Sequence, residues 1–169
     1  MTFPQYNLYV AVIAIIGTGY VGLSSGAWFS RLGHLVTCVD IDESKIERLN
    51  RGEIPIVETG LDDLVREGVM SGRLRFTTSF EDGVSEADVV FLCVPTPEGD
   101  DGSADLSYIQ AAARTLSSIL QPGAIVVNKS TVPVGSTKVV ERELKRPDVA
   151  VVSNPEFLRE GSAIQDFLK

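Results

Sequence analysis

The sequence predicts a doubly wound α/β fold: a mostly parallel six-stranded sheet with helices on both faces. Three observations lead there. Short β-branched runs alternate with amphipathic segments; several runs are continuously apolar; and a glycine-rich turn joins the first run to the first helical segment. Continuous apolar runs suit strands covered on both sides, as in a parallel sheet. Repetition of strand, helix and strand implies right-handed crossovers between parallel neighbours.

Strands are expected at Tyr9–Ile16, Leu35–Asp40, Leu74–Thr77, Asp88–Val94, Ala124–Lys129 and Val149–Ser153. The first, fourth, fifth and sixth are the continuous runs, expected to be buried on both faces. Helices are expected at Tyr20–Leu32, Glu43–Arg51, Leu61–Ser71, Leu106–Leu120 and Gly135–Leu144. In the second, Asp42 or Ser44 can cap, and Ile46 and Leu49 would face the sheet. In the fourth, Ile109, Ala112, Ala113 and Leu116 recur at helical spacing, with Asp105 or Ser107 as the cap.

With 169 residues, 44 % hydrophobic and 22 % charged, the chain reads as one domain spanning 1–169, with no internal repeat, low-complexity tract or linker. The formal net charge of −8 argues against nucleic acid or an anionic membrane as partner. It leaves room for an anionic small molecule, which backbone N–H groups can bind on an acidic protein. Cys38 and Cys93 sit in apolar runs and read as reduced core thiols, and no Cys/His cluster has metal spacing. The apolar stretch near the N-terminus lacks a basic leader and is too short to span a bilayer, so a cytoplasmic location is expected. The single histidine, His34, is expected to be structural.

The turn "AIIGTGYVGLSSG" places Gly17, Gly19 and Gly22 as G-x-G-x-x-G between a strand and a helix. Gly17 suits the tight turn, Gly19 the close approach of backbone to a pyrophosphate, and Gly22 the close packing of helix on strand. Asp40 follows Gly22 by eighteen residues, at the end of the second strand. A carboxylate there can accept from both ribose hydroxyls of an adenosine and would repel a 2′-phosphate, favouring NAD over NADP. A glycine turn without a dinucleotide, or one serving FAD, stays open on these residues alone.

Ligands in such sheets lie beyond the carboxyl ends of the strands. The segments there read "VPTPEGDDGSADL", "STVPVGST" and "SNPEFLREG". Ser130 and Thr131 bring hydroxyls to one strand end, while capping accounts for Ser136 and Thr137. A helical turn after Pro155 would put Glu156 and Glu160 on one face, where like charges repel and an acid/base role is open. The other reading is a solvated helix start with Arg159 as partner.

With Gly17–Gly22, Asp40, "VPTP", "KSTVPVG" and "NPEFLREG" in this order, the chain resembles the NAD-binding domain of the UDP-glucose/GDP-mannose dehydrogenase family. The resemblance covers nearly all of the chain after its first dozen residues. It implies a Rossmann-type sheet and a four-electron oxidation of a nucleotide sugar's C6 alcohol to a carboxylate, with two NAD⁺. It also implies a thiohemiacetal and a thioester on a cysteine.

Carried onto these positions, Gly17, Thr18, Gly19, Tyr20, Val21 and Gly22 would hold the pyrophosphate, and Asp40 and Lys45 the adenosine ribose. Val94, Thr96, Ser130 and Thr131 would border the nicotinamide half. Thr131 would position a water, Glu156 would do acid/base work, and Glu160 would lie between cofactor and substrate. Phe157 and Leu158 would join Glu156 and Glu160 in the substrate contact.

The family's nucleophilic cysteine lies in a glycine-rich stretch of a C-terminal half, and these 169 residues contain no match to it. The central helix and the C-terminal UDP-sugar-binding domain are likewise expected to be absent, and the whole protein to be a homo-oligomer. The expectation is a chain that binds NAD and does not turn over alone. The bacterial UDP-glucose branch fits best; GDP-mannose or UDP-N-acetyl-hexosamine dehydrogenases and a non-catalytic nucleotide-binding module are the alternatives.

Overall fold

The computed structural model describes residues 9–99, 102–130, 135–155 and 157–166. In chain order the elements are β1 (Val12–Ile16), α1 (Tyr20–Arg31), β2 (Leu35–Val39), α2 (Glu43–Asn50), α3 (Leu61–Met70), β3 (Leu74–Thr77) and α4 (Phe80–Val84). Then follow β4 (Val89–Leu92), α5 (Ser107–Leu116), β5 (Ile125–Asn128), α6 (Ser136–Leu144), β6 (Ala150–Ser153) and α7 (Ala163–Asp166). The six strands are all parallel and ordered β3-β2-β1-β4-β5-β6. The order reverses between β1 and β4, which opens a crevice at their carboxyl ends.

Alternation along β1 explains how one strand serves two cores. Ile13 and Ile15 point into a cluster with Leu23 and Ala27 of α1, Ile46 and Leu49 of α2, and Leu61, Leu64 and Val65 of α3. Ala14 and Ile16 point the other way, toward Ile109 and Leu116 of α5 and Val140 and Leu144 of α6. Each large aliphatic side chain so buried contributes about 1.5–3 kcal/mol. The amino ends of the central strands are joined by Asp88. Its Oδ2 accepts the Val12 N–H at 2.8 Å, its own N–H donates to Val12 O at 2.8 Å, and its carbonyl accepts from Ile125 N at 2.9 Å.

Several elements are shorter than the residue pattern suggests. β1 begins at Val12 because its pairing with β2 starts there, at Val12 against Leu35. The fourth expected helix stops at Leu116 rather than Leu120. Ser117 turns its hydroxyl onto Leu144 O of α6 at 2.6 Å, and Pro122 disfavours helix just beyond. Asp42 is the N-cap of α2, accepting Lys45 N–H, and Ile46 and Leu49 are buried as expected. Asp105 accepts the Ser107 N–H at 2.9 Å at the head of α5. At α6 the boundary residue is Gly135, at φ 92°, rather than Ser136 or Thr137.

The sixth strand corrects a sequence expectation. It was expected to be buried on both faces, but Ala150, Val152 and Ser153 are exposed, because β6 is an edge strand with α6 packed against it. The short helices α4 and α7, of five and four residues, were not anticipated. His34 is structural: its Nδ1 accepts the Ala11 N–H at 3.2 Å and its ring meets Phe29 edge-on.

Candidate functional site: a crevice at the strand switch point

The crevice holds a cavity of about 690 Å³ beyond the ends of β1, β2, β4 and β5. Its centre is the turn from β1 into α1. Gly17 has φ +99°, and a Cβ there would lie 2.6 Å from Cys93 O. A Cβ on Gly22 would come within 1.9 Å of Gly17 O, so the first turn of α1 rests directly on the chain leaving β1. Gly19 instead lines the cavity with nothing within 4 Å of where its Cβ would stand.

Helix α1 starts without a side-chain cap and without an acidic residue in its first turn. By contrast α2 is capped by Asp42 and α4 by Ser79. The first N–H groups of any helix lack intrahelical partners and carry partial positive charge, so the bare start of α1 suits an anion.

Asp40 stands opposite. Its Oδ2 accepts from Thr18 N–H at 2.8 Å, the Thr18 hydroxyl at 2.7 Å and Lys45 Nζ at 3.0 Å, while among the described residues Oδ1 accepts only from Asp42 N–H at 3.1 Å. Burial opposes ionisation, but the bonds from Thr18, Asp42 and Lys45 outweigh it and hold the carboxyl below its ordinary value. Oδ1 therefore keeps acceptor capacity for a ribose hydroxyl.

The remaining walls are mixed. Val94, Pro95 and Thr96 after β4, Lys129 and Ser130 after β5, and Phe80 at the head of α4 all line the cavity. Ser130 is fixed by its hydroxyl bond to Val94 O at 2.7 Å, and Lys129 Nζ donates to Asn154 Oδ1 at 3.2 Å. Tyr108, Ala111, Ala112 and Thr115 form one stripe of α5 along the cavity.

Residues 11–169 match the model of the UDP-glucose/GDP-mannose dehydrogenase family, NAD binding domain. The chain belongs to this family. It is 56 % identical over 160 residues to the UDP-glucose 6-dehydrogenase of Rhizobium meliloti, covering 92 % of this chain and 37 % of that protein. It is 50 % identical over 163 residues to the enzyme of that name from Pseudomonas aeruginosa, covering 92 % and 36 %. Among solved structures, a UDP-glucose dehydrogenase from Pyrobaculum islandicum superposes with TM-score 0.90 at 40 % identity, over 100 % of this chain and 41 % of that one. A GDP-mannose dehydrogenase from Pseudomonas aeruginosa gives 0.85 at 39 %, over 92 % and 38 %. The chain thus spans a little over a third of the length of these relatives.

The residues present fit the cofactor of an NAD-binding family domain. Open space at Gly19, the uncapped start of α1 and the anchored Asp40 share one crevice. Gly17, Gly19, Tyr20, Val21, Asp40, Lys45, Val94, Thr96 and Ser130 line the cavity. Thr18 and Gly22 are buried beneath it, where Thr18 orients Asp40 and Gly22 admits α1. Thr131 and Glu156 lie outside the described residues.

The segment after β6 departs from the expected geometry. No helix starts between Phe157 and Glu160; a turn spans Glu160–Ser162, and α7 begins at Ala163. The expected pairing of Glu156 with Glu160 on one face involves Glu156, which lies outside the described residues. Gly161, at φ +84°, breaks the backbone there. Glu160 and Phe157 are exposed, Leu158 is half-buried, and none of the three lines the cavity. Among the described residues Arg159 pairs with Asp166, its Nη2 2.7 Å from Oδ1.

Sequence reasoning missed Phe80, Tyr108 and Lys129 as wall residues. Tyr108, Ala111, Ala112 and Thr115 do carry a signal, the i, i+3, i+4, i+7 spacing of a second stripe on α5. Among the described residues no group of three or more His, Cys, Asp or Glu is placed to hold a metal, and no helix is long and apolar enough to cross a membrane.

Proposed function

We propose that the chain is the cofactor-binding part of a UDP-glucose 6-dehydrogenase, oxidising UDP-glucose to UDP-glucuronate with two NAD⁺. The single observation that carries the reading is the crevice itself: an uncapped helix start, an open glycine and a preorganised carboxylate facing one cavity. The 50–56 % identity to proteins named UDP-glucose 6-dehydrogenase ranks that sugar above GDP-mannose, whose structural relative is 39 % identical.

Bound NAD⁺ would supply the hydride acceptor. The N–H groups at the start of α1 would bind its pyrophosphate, while Asp40 Oδ1 and Lys45 would take the adenosine ribose. Val94, Thr96 and Ser130 would border the nicotinamide half, and Phe80 and Tyr108 would help exclude water. Thr131, Glu156 and Glu160 are the residues proposed for water positioning and proton transfer, and Phe157 and Leu158 for sugar contact.

Cys38 does not suit the nucleophile of this reaction, and Cys93 stands beside the glycine turn of the cofactor crevice rather than in a glycine-rich stretch of a C-terminal half, where the resemblance puts that cysteine. Cys38 is fully buried, and burial, reinforced by Cys93, pushes its thiol well above the ordinary range. Cys93 follows β4 and lies against the turn at Gly17. The 169 residues are therefore proposed to bind NAD(H) without turnover, and the whole protein to be a cytoplasmic homo-oligomer. Mixing the chain with saturating UDP-glucose and NAD⁺ should give no steady rise at 340 nm, whereas calorimetry with NAD⁺ should show one site per chain. Sustained NADH production would contradict the first expectation, and absence of binding the second.

A further inference from the structure

Glu58 lies between α2 and α3 and is 7 % exposed, although its neighbour Val57 is 99 % exposed. An ionised carboxylate is buried at a cost unless donors are fixed around it. Two are. The Tyr20 hydroxyl donates to Oε2 at 2.6 Å, and the Gly161 N–H donates to the same oxygen at 2.7 Å. The bond from Tyr20, then the N–H groups of Gly161, Ile164 and Ala163, keep the carboxyl below its ordinary value. Oε1 is buried without a hydrogen-bond partner among the described residues.

Tyr20 is the pivot. Its backbone begins α1, it lines the cavity, and its hydroxyl also lies 2.9 Å from Arg159 O. One side chain therefore touches the cofactor crevice, the Glu58 carboxylate and the segment that carries Glu160. Capping the four-residue α7 would need only its own first N–H groups, those of Ala163 and Ile164; the bonds from Gly161 and Tyr20 lie outside that helix and tie the preceding segment to the turn at Gly17–Gly22.

We propose that Glu58 is a positioning residue that holds Arg159–Gly161 against Tyr20 and so couples occupancy of the cofactor crevice to the placement of that segment. The inference rests on the reading of Tyr20 as part of the cofactor turn and of Glu160 as a site residue. Glu58 touches neither the cavity nor reacting atoms and acts through Tyr20.

Hydrogen exchange of the whole 169-residue chain tests this, with and without NAD⁺, alongside calorimetry. In the wild type, NAD⁺ slows exchange of amides 159–164. In Glu58→Ala those amides exchange about tenfold faster, and NAD⁺ no longer slows them, while amides of β4 and β5 are unchanged. Glu58→Gln, which keeps one acceptor, falls between. A segment that exchanges in Glu58→Ala as in the wild type overturns the proposal. So does a faster segment that NAD⁺ still protects, which is the result a plain helix cap would give. If Glu58→Ala does not fold, Tyr20→Phe removes the shared hydroxyl and must show the same loss of NAD⁺-dependent protection. If NAD⁺ fails to bind the wild type in calorimetry, the cofactor reading fails separately, and with it the coupling. The exchange of apo Glu58→Ala then still reports whether the tether exists.

Discussion

The three glycines of the turn have separable jobs, and alanine at two of them should weaken NAD⁺ binding with and without a loss of stability. At Gly22 a Cβ would stand 1.9 Å from Gly17 O, 3.0 Å from Gly17 C and 3.2 Å from Ile15 Cγ2. Two of those neighbours are backbone atoms that cannot rotate away. Restoring even a 3.0 Å separation from the carbonyl oxygen needs a retreat of about 1.1 Å by the first turn of α1. Overpacking of this kind costs about 1–3 kcal/mol. In a chain of this length that corresponds to a fall in Tm of roughly 2–4 °C per kcal/mol. Gly22→Ala should therefore melt roughly 2–12 °C lower and bind NAD⁺ more weakly, because the N–H groups move with the helix.

Gly19 is the control. It has φ −72° and ψ −170°, open to any residue, with nothing within 4 Å of its Cβ position. Gly19→Ala should melt within about 0.5 kcal/mol of the wild type yet lose NAD⁺ affinity, since its methyl group would occupy the face that a pyrophosphate approaches. Scanning calorimetry and NAD⁺ titration of the two variants check both arms. A Gly22→Ala protein with wild-type Tm, or a Gly19→Ala protein with wild-type affinity, would refute the division of labour.

Two further outcomes follow from the geometry. The Arg146 fork holds Asp148, and the Arg159 guanidinium holds Asp166, at about 2, below their ordinary value near 4. A depressed folded pKa means stability that is present above the unfolded value and lost as pH falls through the folded one. Tm should then drop between about pH 4 and pH 2, and Asp148→Asn and Asp166→Asn should flatten the drop in acid melting curves. In thiol labelling of the native chain, fully buried Cys38 should resist the reagent, whereas half-buried Cys93 at the cavity wall should react and be slowed by NAD⁺. Faster labelling of Cys38, or indifference of Cys93 to NAD⁺, would count against the cavity's assignment.

Much of this molecule is legible before folding, and the reason is chemical. A backbone that passes within van der Waals contact of itself tolerates only glycine, so Gly17 and Gly22 announce their contacts by type and spacing. Asp40 is likewise fixed at a strand end, where the order of strands places it beside Thr18. Periodicity located the core side of α5, through Ile109, Ala112, Ala113 and Leu116.

What stayed hidden depends on distance along the chain. The bond from Gly161 to Glu58 spans 103 residues, and no local pattern marks a glutamate in a connection as buried. An apolar run such as β6 reads the same at a sheet's edge as at its centre; only the partner on its far side tells them apart. Spacing at i, i+4 is necessary for a shared face and does not create a helix: Phe157–Arg159 are not helical, and the next helix begins only at Ala163.

The central claim is that the crevice between Gly19 and Asp40 binds NAD and rejects its 2′-phosphorylated form. Calorimetric titration of the wild-type chain with NAD⁺ and with NADP⁺ tests it most directly. A phosphate brought against the ionised Asp40 carboxylate meets like charge, and the account predicts one NAD⁺ site with NADP⁺ bound about tenfold more weakly or worse. Equal affinity, a preference for NADP⁺, or no heat of binding with either would contradict it.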